Sequence, residues 1–195
     1  MYTKCMDLFR CPDSFMGKDI TIGGWIRTTR SNKGVGFIEL NDGSYFKSVQ
    51  VVFDADLDGG LDFEETSKLG VGACLTVTGK VVESPGAKQP FEIKAATVIL
   101  EGACPNTYPL QKKRHGFEFL RTIAHLRPRT NTYTAVFRVR SLAAFAFHEF
   151  FRKRNFTYVH TPILTGNDGE GAGELFQVTT LPLADVPKQP EGAVD

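Results

Sequence analysis

The chain has 195 residues, a net charge of +1, 42% hydrophobic residues and 23% charged residues, which is the composition of a globular protein with one or two packed domains. Its apolar runs are all shorter than a membrane-spanning helix requires. The first twenty residues intersperse acids, lysines and a proline among isolated apolar residues. We therefore expect no signal peptide and no transit peptide, and we expect the protein to be cytoplasmic.

The first hundred residues predict a small β-barrel. Alternating apolar and polar residues, β-branched residues and intervening turn signals indicate five strands and one short helix. The strands are expected at 18–30, 34–40, 46–53, 73–84 and 91–100, and the helix at 62–70. Three strands, a helix and two more strands is the order of an OB-fold, a five-stranded Greek-key barrel that binds oligonucleotides on one face. Other small barrels share this order.

Several side chains on these strands have the chemistry of nucleic-acid recognition. Arg27 and Arg30 can contact phosphates or base edges, and Phe37, which follows a glycine, can stack on a base. Gln50 lies between two valines, so it is expected to point outward and to hydrogen-bond a base edge, and Glu92 can accept from a base amino group. Each residue also has a plainer interpretation, with Phe37 in the core and the polar side chains facing solvent.

A linker and a basic block follow the barrel. Residues 101–111 contain two prolines and no periodicity, which predicts a linker. Residues 111–154 hold eleven lysines and arginines against two acids. Such a block favours a polyanionic partner, because neutralising phosphates releases counterions, but it also fits a solvated helix face.

The basic block contains two predicted helices and leads into a predicted strand. A short helix is expected around 117–125, and apolar residues at spacings of three and four predict a long amphipathic helix over 132–154. Cations in its last turn complement the helix dipole, and Asn155 suits a left-handed residue after it. The apolar run 156–164, which contains Pro162, predicts a strand.

The stretch 166–174 combines four glycines with three acids. It has no lysine for a phosphate-binding P-loop, and it leads into β-forming residues rather than the helix that a dinucleotide site needs. Its acids would repel phosphates. We expect either a mobile loop that captures a cationic group, such as a substrate ammonium, or a surface turn.

The cysteines and histidines predict no metal site. Cys5, Cys11, Cys74 and Cys104 are scattered, with no paired spacing and no histidine at a metal-ligand distance. Free thiols in a reducing compartment are expected. The four histidines have no local partners in the sequence, and we assign them no role.

Four segments together resemble a known family. The segment "RNFTYVHTPIL" resembles motif 1 of the class II aminoacyl-tRNA synthetases, and an OB-fold before it is typical of the subgroup that activates aspartate, asparagine and lysine. The segments "NTYPLQKKRH", "HLRPRTN" and "EGAGELFQVTTL" are similar to asparaginyl-tRNA synthetases of the bacterial type. The resemblance implies a mixed β and α/β chain. It has an OB-fold anticodon-binding domain over 1–103, a basic linker over 104–131, and over 132–195 the start of an antiparallel-sheet catalytic domain.

The resemblance also implies roles for individual residues. Phe37 matches the residue that stacks the central uracil of the anticodon, Arg30 and Gln50 match those that read its edge, and Glu92 matches the one that faces the first anticodon base. Glu170 and Gly171 match the loop beside the amino-acid site, with Glu170 as the carboxylate that meets the substrate ammonium. Phe156 and Pro162 match the motif 1 segment at the dimer interface.

The family's motifs 2 and 3, its Mg²⁺ ligands and the residues that distinguish asparagine from aspartate find no match in the chain. We therefore expect the N-terminal part of a longer enzyme, with no catalytic residue, metal site or cofactor of its own. The full-length enzyme is expected to be a homodimer that uses asparagine, ATP and Mg²⁺ to charge tRNA(Asn). A non-catalytic OB-fold RNA-binding module and an aspartate-using relative remain alternatives.

Overall fold

The computed structural model describes residues 2–86, 89–167, 171 and 178–180. Up to residue 152 its secondary structure follows the predicted order, with one additional helix at the start and two short 3₁₀ turns, Pro12–Ser14 and Arg127–Arg129. The helices and strands are α1 Cys5–Arg10, β1 Asp19–Asn32, β2 Val35–Asn41, β3 Val49–Asp54, α2 Phe63–Ser67, β4 Cys74–Glu83, β5 Phe91–Gly102, α3 Phe117–Thr122 and α4 Asn131–Arg152. The chain divides into two compact units, Met1–Phe147 and His148–Asp195.

The five strands form a closed barrel in the order β1-β2-β3-β5-β4. All neighbours are antiparallel except β3 and β5, which pair in parallel through Val51 opposite Ile93. The fourteen-residue β1 closes the barrel because it pairs with β2 along one part and with β4 along another. This arrangement confirms the OB-fold prediction. Within the described residues, none of the helices has the length and apolar character needed to cross a membrane.

A β-bulge at Arg27 changes which side chains of β1 face outward. Before the bulge, Ile22 and Ile26 point into the core and are at most 1% exposed. The register with β2 shifts between Ile26 and Thr28, so Arg27 has no directly opposite residue. An extra residue reverses the alternation that follows it. Arg30 therefore lies opposite Phe37, on the outer face of the barrel.

Helix α1 seals the barrel core and was not predicted from the sequence. Cys5 and Leu8 are fully buried against the barrel, and Phe9 stacks on Tyr45 with ring centroids 5.0 Å apart. Burial raises the pKa of the Cys5 thiol to about 12, so this thiol stays protonated and unreactive at neutral pH. Six residues are too few to show the periodicity by which a helix is recognised in a sequence.

The loop after β2 supplies the cap that α1 lacks. Lys4 makes no side-chain cap; instead, the Cys5 amide donates to Asp42 Oδ2 at 3.0 Å and the Met6 amide donates to Ser44 Oγ at 3.0 Å. Burial raises the pKa of Asp42, but hydrogen bonds from Ser44 and Cys5 outweigh burial, and the net effect lowers the pKa. The ionised carboxylate is thus the form that stabilises the fold.

We predict that Asp42 contributes to the pH dependence of stability. A carboxyl whose pKa is lowered by folding stabilises the protein above its unfolded pKa of about 3.9, and this stabilisation is lost as the pH falls through the folded value. Asp42→Asn should lower the free energy of unfolding at pH 7 by roughly 0.5–1 kcal/mol, because the carboxylate is only partly buried. The variant should also lose less stability than the wild type between pH 6 and pH 3.

Urea denaturation followed by circular dichroism measures both effects, and Asp56→Asn, at an exposed position, is the control. An Asp42→Asn pH profile that matches the wild type would contradict the assignment.

Helix α4 confirms the long predicted helix, whereas the strand predicted after it is wrong. Asn155 follows α4 with a φ of 61°, the left-handed conformation that its side chain tolerates. Residues 156–164 form no strand. Ile163 is 90% exposed, and none of the described strands pairs with this segment. A strand needs a neighbouring strand to satisfy its backbone hydrogen bonds, and the part of the chain that the structure describes offers none here.

Candidate nucleic-acid interface

Four predicted RNA-contacting side chains lie on four consecutive strands of the barrel. Arg30 is on β1, Phe37 on β2, Gln50 on β3 and Glu92 on β5, which is the order in which these strands pair. Phe37, Gln50 and Glu92 are half-buried and each alternates with fully buried neighbours, so all three face outward. We call these four residues the outer-face cluster.

The outer-face cluster is joined by direct contacts. The Arg30 guanidinium lies over the Phe37 ring, 4.8 Å from its centroid, and Arg30 Nη2 donates to Gln50 Oε1 at 3.4 Å. Gln50 Nε2 in turn donates to Glu92 Oε2 at 3.0 Å. The Gln50 amide is thus held in one orientation between a cation and a carboxylate. Phe37 as a core residue, the plainer interpretation from the sequence, is wrong.

Ser84 is a further member of this arrangement that the sequence did not reveal. Its hydroxyl donates to Glu92 Oε2 at 3.3 Å, so Glu92 accepts from two side chains at once. Ser84 lies directly after β4. Because β4 and β5 are adjacent, the end of β4 brings Ser84 beside Glu92. Only the register of this pair, which no local pattern encodes, places the two side chains together.

The outer-face cluster offers the groups that recognition of an unpaired base requires. An aromatic face can stack on a base, and an Arg guanidinium can do the same. The cluster's guanidinium and amide donate hydrogen bonds, while its amide oxygen and carboxylate accept them. A base stacked on Phe37 would find donors and acceptors along its edge, so the geometry suits single-stranded nucleic acid.

Arg27, the other arginine that the sequence offered for contacts with phosphates or base edges, does not join the outer-face cluster. Its guanidinium donates through Nη1 to the carbonyl oxygen of Arg129 and through Nη2 to Asn131 Oδ1, the latter at 3.1 Å. Burial lowers the pKa of Arg27, but an arginine remains charged at neutral pH. The bulge at Arg27 accounts for the difference, because it removes the side chain from the regular alternation of β1.

A basic cleft of about 1310 Å³ lies within the unit Met1–Phe147, between the barrel and the residues that follow it. Six arginines and lysines line it against one acid, Glu39; the cations are Arg27, Lys47, Lys113, Arg114, Arg129 and Arg138. Of these, Lys47, Lys113 and Arg114 make no ion pair or side-chain hydrogen bond with any described residue. Part of the basic block therefore comes together with the barrel on one concave surface, as a polyanion site requires.

Comparisons with known proteins identify two matched regions. Residues 20–100 match the family described as OB-fold nucleic acid binding domain, and residues 118–186 match tRNA synthetases class II (D, K and N). The chain is 56% identical over 193 residues to an asparagine–tRNA ligase of Desulfitobacterium hafniense and 58% identical over 188 residues to one of Clostridium tetani. By sequence, nearly the whole chain is similar to asparagine–tRNA ligases.

The match covers nearly all of the chain but only part of each relative. It includes 99% and 96% of this chain and 41% and 40% of the Desulfitobacterium and Clostridium proteins, so the chain spans about two fifths of the length of these asparaginyl-tRNA synthetases. The fold is similar to that of an asparaginyl-tRNA synthetase from Pyrococcus horikoshii complexed with asparaginyl-adenylate. That comparison has a TM-score of 0.80 and 24% identity, and it covers 92% of this chain and 40% of the other.

The residues expected at the amino-acid site of an asparaginyl-tRNA synthetase stay predictions. Gly171 is exposed and has a φ of 70°, which a glycine adopts without strain. Glu170, the expected carboxylate, lies outside the described residues. The domain boundaries at 103 and 131 also stay predictions.

The expected motif 1 residues are exposed in the single chain. Phe156 is 63% exposed and packs edge-on against Phe151, with centroids 5.3 Å apart. Pro162 is exposed as well. Their role at a dimer interface of the synthetase stays a prediction.

Proposed function

We propose that this protein is an asparagine–tRNA ligase that recognises the anticodon of tRNA(Asn) through the outer-face cluster. The observation that carries the proposal is the 56–58% identity to asparagine–tRNA ligases over nearly the whole chain. The chain spans only about two fifths of these relatives, so the charging reaction is attributed to the full-length protein. We further propose that this protein acts in the cytoplasm.

Recognition begins with stacking. In the proposed complex the central uracil of the anticodon stacks on Phe37, with Arg30 held over the same ring. Stacking of one base on an aromatic side chain contributes about 1–3 kcal/mol. The cation–π contact keeps Arg30 close to the base that Phe37 holds, so stacking and hydrogen bonding act on one nucleotide.

Hydrogen bonds then distinguish the base. A uracil edge presents two carbonyl acceptors and one N–H donor, and the Gln50 amide, together with the Arg30 guanidinium, presents the complementary groups. Glu92 accepts from Gln50 and Ser84 and retains further lone pairs for a donor on the first anticodon base. A base that presents the wrong donors would leave these groups unpaired, which costs about 1–3 kcal/mol.

Part of the basic cleft is proposed to hold phosphates of the same tRNA. Lys47, Lys113 and Arg114 supply charge without a competing partner among the described residues, whereas Arg27 and Arg138 already donate to acceptors within the chain. Contacts of this kind do not depend on base sequence and weaken as salt is added, because they release counterions. Affinity for tRNA would come partly from the cleft, whereas discrimination between anticodons would come from the outer-face cluster.

ATP and Mg²⁺ are proposed as requirements of the full-length enzyme. Among the residues that the structure describes, no group of three His, Cys, Asp or Glu side chains is placed to hold a metal ion. The described residues therefore form no site of this kind for Mg²⁺. The part played by this chain is to bind the tRNA and, through Glu170 and Gly171, to contact the amino acid.

A homodimer is also proposed, and helix α4 supports it. Apolar side chains that recur every three residues on one side of this helix are exposed in the single chain, including Val139 at 66%, Leu142 at 71% and Phe145 at 72%. Monomeric proteins rarely leave such a continuous apolar face in water. Sedimentation of the full-length protein should show a dimer, and a monomer at micromolar concentration would contradict this part of the proposal.

Aminoacylation by the full-length protein tests the proposed function. Purified protein is given ATP, Mg²⁺ and tRNA(Asn) or tRNA(Asp), with either asparagine or aspartate. We expect asparagine on tRNA(Asn) to be the preferred pair. Charging of aspartate alone would replace the proposal with an aspartate-using relative. RNA binding without charging of either amino acid would favour a non-catalytic RNA-binding module.

A further inference from the structure

Arg27 is the residue at which β1 departs from regular pairing. It sits in the bulge between Ile26 and Thr28, with no residue opposite it on β2. A bulge redirects one side chain and increases the local twist. Here it directs the Arg27 guanidinium toward the start of α4, and the same extra residue turns Arg30 toward the outer face.

Two arginines connect the barrel with α4, one from each side. Arg27, on the barrel, donates to the Arg129 carbonyl oxygen and to Asn131 Oδ1, and Asn131 is the first residue of α4. In the opposite direction, Arg138 Nη2, on α4, donates to the carbonyl oxygen of Gly43 in the loop after β2, at 2.8 Å. Each bond has a charged donor, which makes it stronger than a neutral hydrogen bond.

These bonds cross from one matched family region to the other. Arg27 and Gly43 lie in the region that matches the OB-fold domain, whereas Asn131 and Arg138 lie in the region that matches the class II synthetases. All four residues belong to the compact unit Met1–Phe147. The first part of a catalytic-domain helix is therefore fixed to the RNA-binding barrel.

The start of α4 is itself well ordered where Arg27 reaches it. The Thr130 hydroxyl donates to the Arg127 carbonyl oxygen at 2.7 Å and accepts from the Tyr133 amide at 3.4 Å, which caps the helix. Arg127 lies over the Tyr133 ring at 4.8 Å. The end of α4 is therefore capped without Arg27. The contact from Arg27 sets where this helix end lies against the barrel, and it is not needed to form the helix.

We propose that Arg27 is a positioning residue that, together with Arg138, fixes the direction of α4 relative to the outer-face cluster. A tRNA bound at the cluster is then presented to the catalytic part of the enzyme in one orientation. Arg27 does not contact the outer-face cluster, so it has no part in reading the anticodon. This inference rests on the proposed function, because it assigns Arg27 a role in charging tRNA and none in activating the amino acid.

The fork shape of the guanidinium is essential to this role. Arg27 reaches two acceptors with two nitrogens in a fixed plane, which a lysine ammonium cannot reproduce. Arg27→Lys keeps the charge and loses the geometry, while Arg27→Met removes both. Asn131→Ala removes one acceptor from the other side of the contact and disturbs the barrel least.

The test compares three activities of the full-length enzyme and its Arg27→Lys, Arg27→Met and Asn131→Ala variants. Asparagine-dependent exchange of pyrophosphate into ATP reports amino-acid activation without tRNA. Binding of an anticodon stem-loop reports RNA binding by the outer-face cluster, and kcat/KM for tRNA(Asn) reports the whole reaction.

We expect exchange and stem-loop affinity to stay within about twofold of wild type, and kcat/KM for tRNA to fall about tenfold in Arg27→Met. Arg27→Lys should resemble Arg27→Met, and the Arg27→Met/Asn131→Ala double variant should be no worse than Arg27→Met alone.

Three results would overturn the inference. The first is that Arg27→Met and Asn131→Ala charge tRNA as well as the wild type does. The second is that all three activities fall together, as a merely structural role requires. The third is that Arg27→Lys, unlike Arg27→Met, charges tRNA at the wild-type level. If the wild-type enzyme shows no asparagine-dependent exchange, the proposed function fails first, and this outcome is separate from a failure of the positioning role.

Discussion

Replacing Phe37 with alanine is expected to weaken binding of the tRNA(Asn) anticodon stem-loop by about 1–3 kcal/mol, or roughly fivefold to 150-fold in Kd. The loss has two sources. The stacking surface for the central base disappears, and Arg30, which lies 4.8 Å above the Phe37 ring, loses the contact that holds it near the base. Fluorescence anisotropy of a labelled stem-loop titrated with the chain measures the effect.

A matched control for Phe37 is Ile99→Ala. Ile99 is 45% exposed and lies seven residues along β5 from Glu92, so it too presents an apolar surface to solvent but is outside the outer-face cluster. Its substitution should leave the Kd within about twofold, as expected for a surface position without a special contact. Equal affinities for wild type and Phe37→Ala would remove the stacking role. Both variants should keep the wild-type circular dichroism spectrum.

Replacing Gly36 with alanine is expected to lower the free energy of unfolding by about 3 kcal/mol and the melting temperature by roughly 6–12 °C. Gly36 faces the core directly opposite Phe53 on β3. A Cβ atom at this position would overlap the Phe53 ring, which is fully buried and packs against Phe63. The ring has no space to move into because the barrel interior is close-packed.

The comparison variant for Gly36 is Gly70→Ala. A Cβ at Gly70 meets no atom within 4 Å, and the backbone there is not left-handed, so its melting temperature should stay within a few degrees of wild type. Thermal and urea denaturation of both variants measure the difference. Equal stability of Gly36→Ala and Gly70→Ala would show that the core between β2 and β3 adapts to an added methyl group.

The barrel was predictable because each of its strands carries its own signal. Alternating apolar residues and turn signals placed all five strands, and the order of elements indicated the OB-fold. The parallel pairing of β3 with β5 and the bulge at Arg27 depend on how distant segments meet, so no local pattern reveals them. The bulge decides the faces of both arginines on β1, because it turns Arg30 toward the outer face and directs Arg27 toward the start of α4.

The outer-face cluster was partly predictable from the alternation of residues along each strand. Gln50 and Glu92 alternate with apolar neighbours, and this pattern fixed the face on which they lie. Ser84 stands after the end of its strand, where alternation gives no information. Which side chains bond to one another follows from strand order and register, and these appear only in the folded chain.

Two segments, α1 and 156–164, show where local patterns stop being sufficient. Helix α1 is stabilised by burial of Cys5 and Leu8 and by a cap from Asp42, which are contacts across the barrel rather than along the helix. The apolar run 156–164 has the composition of a strand, but a strand forms only beside a partner. In α1, tertiary contacts produce a helix without a local signal, whereas in 156–164 a local signal produces no strand because none of the described strands lies beside it.

The most direct test of the account is to measure how the full-length enzyme charges tRNA(Asn) with asparagine when only the central anticodon base is changed. Two transcripts are compared, one with uracil and one with cytosine at that position. We expect kcat/KM to be about fivefold to 150-fold higher for uracil, the effect of losing one well-matched base contact. Substituting Gln50 with alanine should reduce this ratio. Equal kcat/KM for the two transcripts would contradict the assignment of the outer-face cluster as the anticodon-reading site.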